Sequence, residues 1–131
     1  MSRKILSIVL LAVMVILVTA CSPIKQINLT AADKDSQVEV KVGGQIIITL
    51  DSNPSTGYNW ETKDLDTTMF EQVGDPTFTI SDPGLVGSGG TLTLTFKALK
   101  AGTTALTLVY HRPWETGIDP IDTFEVTVTV K

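Results

Sequence analysis

Val38, Val40 and Val42 alternate with Glu39 and Lys41, and a two-residue period returns along most of the chain beyond them. Such alternation sends apolar side chains to one face and polar ones to the other, which is the pattern of a half-buried strand. β-branched residues abound in these stretches, as pleated surfaces favour. Strands are therefore expected over 38–42, 45–50, 58–61, 70–80, 91–98, 103–110 and 123–130, the fourth of them interrupted at Gly74-Asp75-Pro76. No stretch in this region carries a helical period. Gly43-Gly44 suits a two-residue hairpin turn and Lys100-Ala101-Gly102 a second tight one, because glycine reaches positive φ without steric penalty. Both turns predict antiparallel neighbours.

Short alternating strands separated by turn signals predict an all-β, immunoglobulin-like β-sandwich of about seven or eight antiparallel strands, without the Cys…Trp…Cys spacing of antibody domains. If successive strands run up and down and 70–80 counts as one kinked strand, three links emerge at the same end. They are residues 51–57, 81–90 and 111–122.

Ahead of this pattern, Arg3 and Lys4 precede an almost wholly apolar run at 5–18, and Val18-Thr19-Ala20 leads into Cys21. That is the layout of a secretory signal. As a helix the run would rise only about 21 Å, short of the roughly 30 Å hydrocarbon core, so residues 1–20 read as a removable leader. Small residues before the cut and a cysteine directly after it resemble the bacterial lipobox. The resemblance implies that Cys21 is acylated, holding the protein on a lipid membrane outside the cytoplasm; plain secretion after a cut at Ala20 is the alternative. Cys21 is the only cysteine, so no intrachain disulfide can form. Residues 21–36, polar, with Pro23 and a brief alternation at Ile27 and Leu29, read as anchor and tether. Residues 37–131 read as the folded domain.

Loss of Arg3 and Lys4 with the leader moves the formal charge from −4 to −6. No basic stripe is present, so nucleic acid is not an expected partner. A chain of this length buries roughly two-thirds of its unfolded surface and suits one domain, read as a monomer without cofactor or metal.

The three links hold the unusual sequences. Asn53-Pro54-Ser55-Thr56-Gly57 contains every device of a rigid turn, with Tyr58 and Trp60 following; Trp60 is expected in the core. Gly87-Ser88-Gly89-Gly90 ends a long link with almost no side chain, which suits either close backbone approach by another molecule or simple flexibility. No Lys-Ser or Lys-Thr pair follows, so a phosphate cradle is disfavoured. Arg112-Pro113-Trp114 puts the two residue types most common at interface hot spots beside a rigid proline. The indole could instead lie on a neighbouring loop. Catalysis is poorly supported: His111 is the only histidine, the single cysteine sits at the leader boundary, and no nucleophile elbow surrounds Ser55 or Ser88. Asp119 and Asp122 lack the spacing of a calcium loop and read as solvated charges.

Together, in order, the loops resemble those of the chagasin family, immunoglobulin-like inhibitors of papain-family cysteine peptidases with Asn-Pro-x-Thr-Gly-aromatic, Gly-x-Gly-Gly and Arg-Pro-aromatic loops. The likeness runs from about Gln37 to Lys131. It implies that Thr56, within Pro54–Tyr58, sits over the peptidase's catalytic cysteine. It further implies that Gly87–Gly90 pairs with the non-primed side of the cleft, and that Arg112 and Trp114 press on the primed side. Ser55 stands at the variable position. Leu85, Val86 and Glu115 are expected to tune which peptidase is preferred. A surface adhesion or ligand-binding sandwich gripping its partner with Tyr58 and Trp114 is the alternative, since immunoglobulin-like folds host many functions.

Overall fold

Burial follows the alternation. Ile46, Ile48, Leu50 and Ser52 are buried in turn, while Gln45, Ile47, Thr49 and Asp51 between them are not. The computed structural model describes residues 25–131, so the leader and Cys21 lie outside the described residues. Among the described residues there are nine strands: β1 (Gln26–Leu29), β2 (Gln37–Val40), β3 (Gln45–Ser52), β4 (Asn59–Lys63), β5 (Phe70–Gln72), β6 (Thr77–Ile80), β7 (Gly90–Ala98), β8 (Gly102–His111) and β9 (Asp122–Val130). Two 3-10 helices, Ala31–Asp33 and Pro54–Thr56, lie between them.

One sheet runs β1-β3-β7 with β5 and β6 along the far edge of β7; the other runs β2-β9-β8-β4. Their inner faces meet in a core where Phe70, Phe96 and Phe124 are at most 1% exposed. Each such side chain contributes about 1.5–3 kcal/mol by leaving water.

The architecture is the expected all-β, immunoglobulin-like sandwich, with corrections of pairing. The sheets are mixed: β1 runs parallel to β3 and β2 parallel to β9, the other ladders being antiparallel. Gly43-Gly44 and Lys100-Ala101-Gly102 do not close hairpins. The first carries the chain from β2 in one sheet to β3 in the other, and the second links β7 to β8 across the sandwich. Glycine at a corner serves sheet switching as well as it serves a hairpin. The expected tether over 21–36 also ends early. Gln26–Leu29 forms β1, with Leu29 5% exposed, and the capped turn Ala31–Asp33 follows. The short alternation at Ile27 and Leu29 was a strand signal, and the fold begins at about Gln26.

Residues 70–80 behave as one interrupted strand. Phe70 opposes Ala98 and Ile80 opposes Gly90, so β5 and β6 run in one direction beside β7. Strict up-down alternation follows, and residues 53–58, 81–89 and 112–121 gather at one pole. The two true hairpins, β6 to β7 and β8 to β9, are closed there by the second and third of these loops.

Candidate functional site

The first loop is built by its own side chains. Asn53 accepts from the Ser55 amide at 3.2 Å and from the Ser55 hydroxyl at 2.6 Å, capping the 3-10 helix with Pro54 in its first turn. The Thr56 hydroxyl donates to the Asn53 carbonyl at 2.6 Å. Gly57 then reverses the chain at φ +83°, and its amide donates to the Pro54 carbonyl. The exposed turn is closed on itself, and the hydroxyls of Ser55 and Thr56 are both committed to it.

The second loop is ordered by Asp82, which accepts from the Gly84 amide at 2.9 Å, while its carbonyl accepts from the Ser88 hydroxyl at 2.9 Å. Local geometry favours glycine at two of its positions: Gly87 has φ +76°, and a Cβ on Gly89 would stand 3.3 Å from the Ser52 carbonyl. Gly90 is buried in β7, where a Cβ would run into the Thr79 carbonyl and the Phe78 ring. It is a packing glycine, and the exposed part of the loop lies before it, with Val86 fully exposed at the tip.

The third loop is tied to the first through Arg112. Its Nε donates to the Thr56 carbonyl at 3.1 Å, its Nη1 to Glu115 at 3.1 Å, and its guanidinium carbon lies 4.4 Å above the Tyr58 ring centre. The side chain expected to press outward is thus spent on bracing. Trp114 covers Gly57 so closely that a Cβ there would collide with the indole, yet Trp114 stays 67% exposed. One part of the indole thus rests on the neighbouring loop, as the intramolecular reading expected, and the rest faces solvent.

The loops also meet one another. Asn53 Nδ2 donates to the Gly87 carbonyl at 3.2 Å, and the Asn53 amide donates to the Tyr110 hydroxyl at 2.9 Å. Tyr110 in turn stacks on Trp60, centroids 4.9 Å apart, and lies 5.5 Å from Tyr58. Trp60 is buried as expected, donating its ring N–H to the Asp51 carbonyl at 2.9 Å. Sequence reasoning missed Tyr110 as the floor of the site. Its signal was its place at the end of the inward-facing series Leu106, Leu108, Tyr110.

His111 pairs with Glu61 at 2.8 Å on the outer side of β8 and β4. Asp122 lies 3.5 Å from Lys34. Large apolar residues cluster around the loops: Leu85, Val86, Trp114, Ile118 and Ile121 are each at least 60% exposed. Exposed apolar surface concentrated on one pole marks an interaction site.

A sandwich presenting braced, proline- and glycine-shaped loops with an apolar rim defines a class of protein, the immunoglobulin-like module with its exposed loops gathered at one pole. A model of the chagasin family of peptidase inhibitors matches residues 39–128, and the chain belongs to that family. Its relatives are inhibitors, and it is not an enzyme. Amoebiasin-2 of Entamoeba histolytica is 33% identical over 104 residues, covering 79% of this chain and 84% of that protein. The solved structure of a cysteine protease inhibitor from Entamoeba histolytica superposes with a TM-score of 0.73 at 31% identity, over 82% of this chain and 96% of that one. PbICP-C, solved in complex with falcipain-2, shares the fold at 19% identity and a TM-score of 0.57, over 82% of this chain and 99% of that one.

Proposed function

We propose that this protein reversibly inhibits papain-like cysteine peptidases by filling their active-site cleft with the three-loop pole. The observation that carries this reading is the mutual bracing of the loops through Asn53 and Arg112. A wedge already held in shape loses little conformational freedom on binding. Thr56 lies over the catalytic cysteine. Its neighbouring peptides are folded into a hydrogen-bonded turn rather than the extended form a peptidase cleaves, so the loop obstructs without reacting. The stretch Gly87–Gly89, exposed at Gly87 and half-buried at Ser88 and Gly89, lies along the non-primed side, where backbone can pair with backbone. Gly90 supports it from within β7. Trp114 stacks on the primed side, and Arg112 holds the first loop against it.

The acylated Cys21 would keep this pole outside the cytoplasm, facing secreted peptidases. Mass spectrometry of the mature amino terminus tests that assignment. The inhibitor reading is tested by titrating papain and several cathepsin-like peptidases with residues 22–131. Stoichiometric inhibition, reversed on dilution, is expected; full peptidase activity at micromolar inhibitor would end this reading.

A further inference from the structure

Resting on the reading of Cys21 as the anchor only for how the chain reaches a membrane, we infer that the pole opposite the loops is a lipid-facing surface. It would settle on anionic headgroups and point the three loops away from the bilayer.

The first support is the route of the chain. β1 runs parallel to β3 with Gln26 opposite Gln45, and β3 ends at Ser52 where the first loop begins. Lys25 therefore joins the domain at the far pole, where its carbonyl accepts from the Gln45 amide at 3.0 Å. Whatever holds the preceding segment to a membrane holds the domain by this end.

Charge and exposure supply the second, independent support. Five lysines, Lys25, Lys41, Lys97, Lys100 and Lys131, stand at or next to the strand ends of this pole. Lys25, Lys41 and Lys131 surround one shallow depression with Glu39 and Val40. The turns beside them are fastened together, the Gly43 amide donating to the Ala98 carbonyl at 2.8 Å and the Val42 amide to the Lys131 carbonyl at 3.0 Å. Val42 and Leu99 are 51% and 40% exposed on those turns. The opposing acids are Glu39, which pairs with Lys131 at 2.9 Å, Glu71 opposite Lys97 in the ladder, and Asp66 with its neighbour Asp64. Among the described residues, Lys25, Lys41, Lys97 and Lys100 form no ion pair. The loop pole has the opposite bias: it carries Glu61, Asp82, Glu115, Asp119 and Asp122 against Arg112 and Lys34, which pair with Glu115 and Asp122 and leave the other acids in excess. Lysines interleaved with exposed apolar residues suit an anionic lipid surface, and the acidic pole is repelled by it.

The test uses the full chain in nanodiscs containing a gadolinium-chelating lipid, with amide line-broadening as the readout. In phosphatidylglycerol discs, broadening should be several-fold stronger at residues 41–44 and 99–101 than at 84–87 and 114–117. It should even out in purely zwitterionic discs and in the Lys25→Glu, Lys41→Glu, Lys100→Glu variant. Broadening that is uniform in anionic discs, strongest at the loops, or indifferent to lipid charge and to the variant would overturn the inference. Acylation is scored separately by mass, and an uncleaved leader would tether the same end. Papain titrated with the disc-bound chain should be inhibited as it is by the soluble domain. Loss of inhibition in both forms would count against the inhibitor reading, whereas loss on discs alone would count against loops that face outward.

Discussion

At Gly57 two constraints fall on one atom that glycine lacks. Its φ of +83° lies in the left-handed region, and Trp114 occupies the space a Cβ would need. Left-handed backbone costs an L-residue roughly 1–2 kcal/mol before any collision is counted. Gly57→Ala is therefore expected to lower stability by about that amount in chemical denaturation, and to weaken inhibition further because the indole must move. A variant with unchanged inhibition would show that the seat of Trp114 is irrelevant. Glu115 acts on the same loop at one remove, through Arg112. The Arg112–Glu115 pair is half-buried at the surface, where ion pairs contribute at most about 1 kcal/mol, so Glu115→Gln should leave folding nearly intact. It should slow association with papain about two- to five-fold in stopped-flow traces. Asp66 illustrates a purely local effect: the hydroxyl and amide of Thr68 hold its carboxyl below the usual range. Because the folded value is depressed, this contribution is present above the unfolded value of about 3.9 and is lost as pH falls through the lowered one. Thr68→Ala should bring the Asp66 carboxyl titration, followed by carbon NMR, back toward the ordinary value.

Among the elements, β1 separates local signal from tertiary context. Ile27 and Leu29 give it only one repeat of alternation, too little to distinguish a strand from a polar tether. Its partner β3 lies beyond the whole of β2, and the pairing is parallel. Leu29 is nonetheless part of the core. Leu29→Ala should cost about 2–4 kcal/mol in denaturant titration, as core leucine truncations do, whereas a tether residue would cost almost nothing. The longer strands were legible because alternation persisted for four or more residues with one face buried. Their partners were not, since Gly43-Gly44 satisfies a hairpin and a sheet-crossing corner equally well. Within the loops, the motifs singled out residues the structure exposes, Pro54, Ser55, Thr56, Gly87 and Trp114, together with ones it turns inward, Gly90 and Arg112. The bracing of Arg112 on Thr56, and Tyr110 beneath Asn53, could not be read from the sequence, because each joins positions more than fifty residues apart.

For the whole molecule, strict up-down alternation converts seven decades of sequence into one rigid pole, and its consequence is coupling between loops. Asn53 ties the first loop to the second through the Gly87 carbonyl, and Arg112 ties it to the third through the Thr56 carbonyl. Both braces act on residues 53–58, so removing one leaves that loop partly held by the other. Side chains sharing one network show coupling energies of about 0.5–3 kcal/mol, whereas independent sites add. Asn53→Ala combined with Arg112→Ala should therefore weaken papain inhibition by more than the product of the single effects. The excess, roughly two-fold to a hundred-fold, should appear with faster amide exchange in residues 53–58 of the free protein. Arg112→Lys keeps the charge but not the forked donor geometry, so it should behave closer to Arg112→Ala than to the parent. Simple additivity, with unchanged exchange in the free loop, would mean that each loop reaches the cleft alone and that shared bracing contributes nothing to affinity.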